Sequence, residues 1–358
     1  MKRFALALIF FLCAPLAMLA QQGAPEIPFD SVNPVKMPEN MYLGEVAGVA
    51  LDSKGNIYIF NRGNTTGPAY AAAAAQLLEF DHNGKFMREI GRNLYGWSFA
   101  HAVRIDKDDN IWVADKGSDV VVKFNQKGEV IMVFGRKQEA SDDGTEALKH
   151  PKPPLPPEDG RFRQVTDMAW DAAQNTFISD GYINARVAKA DKDGRWIKSF
   201  GDPGSGPGQL NTPHSIAVDN QGMVYVANRG NSRIEVYDGE GNYVRNIKIN
   251  EPFDYANALP AIGAKPKMDL VGTMGPGAPW AVCITPGKNQ VLFAADAFPG
   301  TLYKLSLDGK VLGKMGHAGK QPKEFGWIHE IACPTENEVY VGELLNWRVQ
   351  KLTLHPAK

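Results

Sequence analysis

One pattern recurs six times along this chain, and no other feature limits its fold so tightly. Each copy opens with a short apolar strand, turns at an Asp or Pro, and returns in a second strand rich in Val, Ile, Tyr and Phe. The openings are Val46 to Asp52, Ala100 to Asp106, Val165 to Asp171, Pro213 to Asp219, Trp280 to Pro286 and Ile328 to Pro334. Returning strands such as Ile57-Tyr58-Ile59-Phe60 and Val224-Tyr225-Val226 follow them, and second hairpins with turns such as Asp81-His82-Asn83-Gly84 and Asp238-Gly239-Glu240-Gly241 complete four strands per copy. Repeats of roughly 50 residues, each a small antiparallel sheet that cannot bury both faces alone, specify an all-β, six-bladed β-propeller. Gly91, Gly135, Gly201 and Gly316 end four blades in matching places, where a tight exit suits glycine.

The propeller is expected over residues 43–358, after a signal peptide over 1–20 and an N-terminal extension over 21–42. Met1-Lys2-Arg3 precedes an apolar run from Phe4 to Ala20, the pattern of a secretory signal. The run is too short and too isolated for a retained span, so a secreted or periplasmic protein with no membrane contact after cleavage is expected. The extension is the candidate for closing blade one onto blade six. With 39 Lys+Arg against 40 Asp+Glu the net charge is -1, which argues against a nucleic-acid partner. Cys13 lies in the signal, so only Cys283 and Cys333 remain: buried small hydrophobes, or a single bridge, but no disulfide framework.

In a propeller the first strand of each blade lines the central channel, and the loops before it and after the second strand share one mouth. Three long insertions fall at that mouth: Thr65 to Ala75, Lys137 to Arg163 with its Pro151 to Pro157 run, and Asn250 to Pro279. The second position of the first strands reads Ala47, His101, Thr166, His214, Ala281 and His329. Taken singly, each His reads as a satisfied channel residue. Together they place three of the chain's 7 histidines in alternate blades, a threefold set converging on one axis. Three imidazoles around one ion with coordination positions left open make a catalytic type of zinc site, with copper and iron as alternatives. Fifteen residues further on the chain is back at the mouth, at Arg62, Lys116, Gly181 and Arg229, with Tyr182 next to Gly181. Each Arg alone could be a solvated rim residue. Around a metal, two guanidiniums and a phenol make a pocket for a small anionic substrate, with Tyr182 as a base if nearby positive charge lowers its pKa.

The strings Val46-Ala47-Gly48-Val49-Ala50-Leu51-Asp52 with Ile59-Phe60-Asn61-Arg62-Gly63, Ser179-Asp180-Gly181-Tyr182, and Pro213-His214-Ser215 with Ala227-Asn228-Arg229 resemble the peptidyl-α-hydroxyglycine α-amidating lyases, a family of NHL-repeat propellers. The similarity runs from about Leu43 to Leu354. It implies zinc on His101, His214 and His329, with Tyr182 taking the proton of the substrate hydroxyl. It further implies that Arg62 assists that residue and that Arg229 orients a carboxylate. It also implies a structural calcium held by the carbonyls of Val49 and Val103 and by Glu330, which stands where the family has Asp. The reaction implied is cleavage of the N–C bond of an α-hydroxyglycine to an amide and glyoxylate, by a monomer. Asn61 and Asn64 depart from the family string, the family's disulfides have no matching cysteines, and no monooxygenase domain accompanies the propeller. Two other readings stay open: a lactonase-like propeller hydrolase in which the metal activates water, and a non-catalytic NHL-repeat binding module.

Overall fold

In the computed structural model, residues 23–63, 75–137, 156–260 and 271–355 are described. The segment read as a signal, most of the first two mouth insertions, including the greater part of the Pro151 to Pro157 run, and the middle third of the last insertion lie outside them. Six four-stranded antiparallel sheets follow one another around a channel, and the described residues contain almost no helix. The innermost strands are Val46–Leu51, Ala100–Ile105, Asp167–Trp170, Pro213–Val218, Ala281–Ile284 and Ile328–Thr335. They are buried along nearly their whole length, because the neighbouring blades cover both faces. The outermost strands alternate between covered and exposed positions, as in Val130–Gly135 and Tyr243–Ile247. The four blade-ending glycines all have positive φ, between 64° and 80°, a region that costs a side chain and costs glycine nothing.

The ring closes through the stretch read as an extension. Phe29–Val32 pairs antiparallel with Arg348–Leu354 as the fourth strand of the blade whose other three strands end the chain. The propeller therefore begins at Phe29 and not at residue 43. Blades five and six are also joined covalently, by a disulfide between Cys283 and Cys333. Of the two readings open for these cysteines, the single bridge holds. Closing a loop of 50 residues stabilises a fold by roughly 4 kcal/mol in the chain-entropy account, and it does so beside the seam where the two ends of the chain meet.

Candidate metal centre and anion pocket

The local backbone explains why histidine at the second position of an inner strand points at the axis. The pairing of inner with second strand slips between Ala100 and Ala102, between Pro213 and Ile216, and between Ile328 and Glu330. His101, His214 and His329 each sit in that slip. A bulge residue has no partner across the ladder, so its side chain can be re-aimed into the channel. Blade one has the same slip, between Val46 and Gly48, but carries Ala47 there.

All three imidazoles are buried and their ring centroids lie 4.6, 4.7 and 4.9 Å apart. Each Nδ1–H donates to a backbone carbonyl of a blade that has no histidine: His101 to Thr166 at 2.7 Å, His214 to Trp280 at 2.6 Å and His329 to Ala47 at 2.7 Å. These bonds fix the tautomer, leaving the Nε2 lone pairs free. The ring nitrogens that face one another lie within 4.8 Å. Zinc–nitrogen bonds of about 2.0–2.1 Å need nitrogens roughly 3.3 Å apart, so small ring rotations would gather all three onto one ion. Burial, and secondarily the neighbouring positive groups, holds each imidazole well below the usual histidine pKa and therefore neutral, the form that binds metal. The donor set fits a divalent ion such as zinc.

The same depression has a consequence for the metal-free protein. Below about pH 6.5 the unfolded chain takes up protons that the folded chain refuses, so folding stability must fall as pH drops through and below that value. Metal-stripped protein is expected to melt at a lower temperature at pH 5 than at pH 7.5, with a smaller drop in His329→Asn. Thermal melts with the same pH dependence in both proteins would contradict this.

Around the imidazoles the second register closes in. Tyr182 Oη lies 3.3 Å from His101 Nε2 and 3.1 Å from His214 Nε2. Gly181, just before it, lets the Pro213 backbone approach, since a Cβ there would meet the Pro213 carbonyl oxygen at 1.9 Å. Arg62 donates through Nε to the Ala100 carbonyl at 3.1 Å and pairs with Glu45 at 2.6 Å. Arg229 lies over the Trp280 ring at 4.5 Å and over the Tyr182 ring at 5.3 Å. Its Nε is buried and donates to no acceptor among the described residues. Burial alone would raise the Tyr182 phenol pKa, but Lys116, Arg229 and Arg62 together outweigh it and bring the phenol below its ordinary range. The structure thus gathers His101, His214, His329, Tyr182, Arg62 and Arg229 around one point.

The register works because the residue before it is a buried clamp. Asn61, Asp115, Asp180, Asn228 and Glu343 end five second strands and Asp296 directly follows the sixth, and each accepts a backbone N–H bond from the loop arriving from the previous blade. Sequence reading passed over this polar column, although it is visible in all six copies. It also passed over Glu45, which pairs with Arg62 within blade one, and over Phe99 and Trp280, which meet Arg62 and His214 from neighbouring blades.

Glu330, Val49 and Val103, which the resemblance assigns to a calcium, meet as a cluster. Glu330 Oε2 accepts the amide N–H groups of Val49 and Val103 at 3.0 and 3.1 Å, which serve an anion and not a cation. A guanidinium already supplies the positive charge: Arg104 Nε stands 3.0 Å from Glu330 Oε1. Arg104 also grips Asp167 with two bonds of 2.9 and 2.6 Å and reaches the Ile331 carbonyl at 3.0 Å. Glu330 Oε1 nevertheless accepts no hydrogen bond among the described residues, so this buried carboxylate keeps one oxygen open beside the guanidinium.

The chain is a six-bladed propeller with three imidazoles drawn from alternate blades and a phenol and two guanidiniums above them, a candidate metal site in its channel. The NHL repeat model matches residues 210–237, the strand pair that carries His214 and Arg229. The chain is homologous to the amidating enzymes. It is 29% identical over 334 residues to peptidyl-glycine alpha-amidating monooxygenase A of Xenopus laevis, covering 85% of this chain and 31% of that protein. It is 31% identical over 344 residues to the Mus musculus monooxygenase, covering 88% and 31%. It is 26% identical over 343 residues to peptidyl-alpha-hydroxyglycine alpha-amidating lyase 1 of Drosophila melanogaster, covering 87% and 57%. The chain thus spans about a third of the length of the monooxygenases it matches. Among solved structures, a streptogramin B lyase superposes with TM-score 0.55 at 12% identity, covering 91% of this chain and 98% of that one. A gluconolactonase from Xanthomonas campestris does so with TM-score 0.55 at 12% identity, covering 94% and 96%. At that identity both show the fold alone.

Proposed function

We propose that the protein is a metal-dependent lyase that cleaves an N-acyl-α-hydroxyglycine into an amide and glyoxylate. The observation that carries this reading is Tyr182 Oη poised on two Nε2 atoms of a three-imidazole cluster, with cations behind it. Arg229, whose buried Nε has no acceptor among the described residues, is placed to take the substrate carboxylate. Arg62, held by Glu45, backs the phenol with positive charge. Tyr182 accepts the proton of the carbinol hydroxyl, the C–O bond becomes a carbonyl, and the electron pair of the C–N bond leaves with the amide nitrogen, which gains a proton. A divalent ion bound by the histidines would supply Lewis acidity at the substrate hydroxyl. The naming of relatives as amidating lyases supports the same chemistry. The Cys283–Cys333 bridge supports an exported protein, because such bonds persist in oxidising compartments.

The test is metal analysis of purified protein followed by glyoxylate release from α-hydroxyhippurate. Stoichiometric zinc with metal-dependent glyoxylate release is expected. A metalloprotein inert on hydroxyglycines but active on lactones would replace this reading with the hydrolase, and a metal-free, inactive protein would replace it with a binding module.

A further inference from the structure

Lys116 belongs to the mouth register, but neither the resemblance nor the reaction above gives it a task. Its backbone is pinned: its N–H donates to the Phe99 carbonyl at 3.0 Å, and Asp115 beside it accepts the N–H groups of Ser98, Phe99, Gly117 and Ser118. Its ammonium reaches the pocket and stops 3.6 Å from the centre of the Tyr182 ring, with the Phe99 ring at 5.5 Å. Among the described residues no carboxylate pairs with it and no carbonyl accepts from it. Desolvation, with Arg62 and Arg229 nearby, lowers its pKa, so the charge is held at a cost.

What the ammonium faces explains the cost. Tyr182 joins none of the apolar clusters of the fold. Its ring meets His101 and His214 edge-on at 5.6 and 5.9 Å and Arg229 at 5.3 Å. Of these ring and cation contacts, Lys116 is the nearest, and it lies over the ring face. A cation over an aromatic face binds more strongly when both are desolvated, and here it helps to hold a ring that joins none of the apolar clusters among the described residues.

We propose that Lys116 is a positioning residue, whose ammonium holds the face of Tyr182 so that its oxygen stays aimed between His101 and His214. The task given to that oxygen rests on the lyase reading; the clamp on the ring does not. Two variants separate the effects: Lys116→Met keeps the length of the apolar stem and removes the charge, and Lys116→Arg restores it. With zinc-loaded protein and α-hydroxyhippurate, Lys116→Met is expected to lower kcat at least about tenfold with KM within about twofold, and Lys116→Arg to recover most of the loss. Zinc content should match the wild type. NMR of isotope-labelled tyrosines, with the Tyr182 signal assigned by its loss in Tyr182→Phe, should show that signal shifted or broadened in Lys116→Met and restored in Lys116→Arg. An unmoved Tyr182 signal, a kcat within twofold of wild type, or a loss confined to KM each overturns the proposal. If the wild type releases no glyoxylate, the lyase reading falls, and the Tyr182 signal alone decides for or against Lys116.

Discussion

Replacing His214 with Ala is expected to strip the protein of its metal and of glyoxylate release together. The site has three protein donors, and the remaining two imidazoles would have to hold the ion without the one that also fixes their spacing. Loss of an outer-shell partner alone costs about 10–100-fold in metal affinity, so loss of a direct ligand should cost at least that much. The substitution also leaves the buried Trp280 carbonyl without the Nδ1–H that reaches it at 2.6 Å, a further destabilisation of about 1–3 kcal/mol. Metal analysis after desalting, paired with a thermal melt, checks both effects. Unchanged zinc stoichiometry in this variant would remove the proposed centre, whatever became of the activity.

The site's place in the sequence was legible because a propeller repeats its geometry. Once six copies are aligned, position two of the inner strand and the position fifteen residues later each become a column, and the columns hold His101, His214 and His329, then Arg62, Lys116, Gly181 and Arg229. The bulge that turns the histidines inward is not visible in the sequence, but its effect is, since all three share it. Contacts that break the repeat were not legible. Arg104 draws its partners from Asp167, Ser215, Glu330 and Ile331, on three other blades, and nothing in any one copy announces that meeting. For that reason Val49, Val103 and Glu330 could be read together from the resemblance without the guanidinium that stands beside the carboxylate.

The two cysteines illustrate the same limit. Cys283 lies two residues after Ala281 and Cys333 four after His329, so they do not occupy equivalent positions in their blades. Alignment of the repeats could not pair them; only the approach of adjacent inner strands does. Closure was half legible. The stretch before residue 43 was the only chain left over to complete the last blade, but its pairing with Arg348–Leu354 depends on register that the sequence alone leaves open.

Tyr182→Phe isolates the chemistry from the scaffold. The ring keeps its two edge-on histidine contacts and the ammonium on its face, because only the oxygen is removed. The histidines keep their Nδ1–H bonds to Thr166, Trp280 and Ala47, so metal content should equal the wild type. The lost hydroxyl contact to the imidazoles is worth about 0.5–1.5 kcal/mol, too little to unfold a closed propeller. Turnover should nevertheless fall by about 10²–10⁴, the usual effect of deleting a general base. The pH profile adds a second reading. Lys116, Arg229 and Arg62 bring the phenol below its ordinary range, so the rising limb of kcat/KM should lie below that of a free phenol and vanish from the residual activity of the variant. A Tyr182→Phe enzyme with full metal, wild-type turnover and an unaltered rising limb would show that some other group takes the proton. The phenol would then be a lid on the metal centre, and the three cations around it would have to be explained by the substrate's own charge.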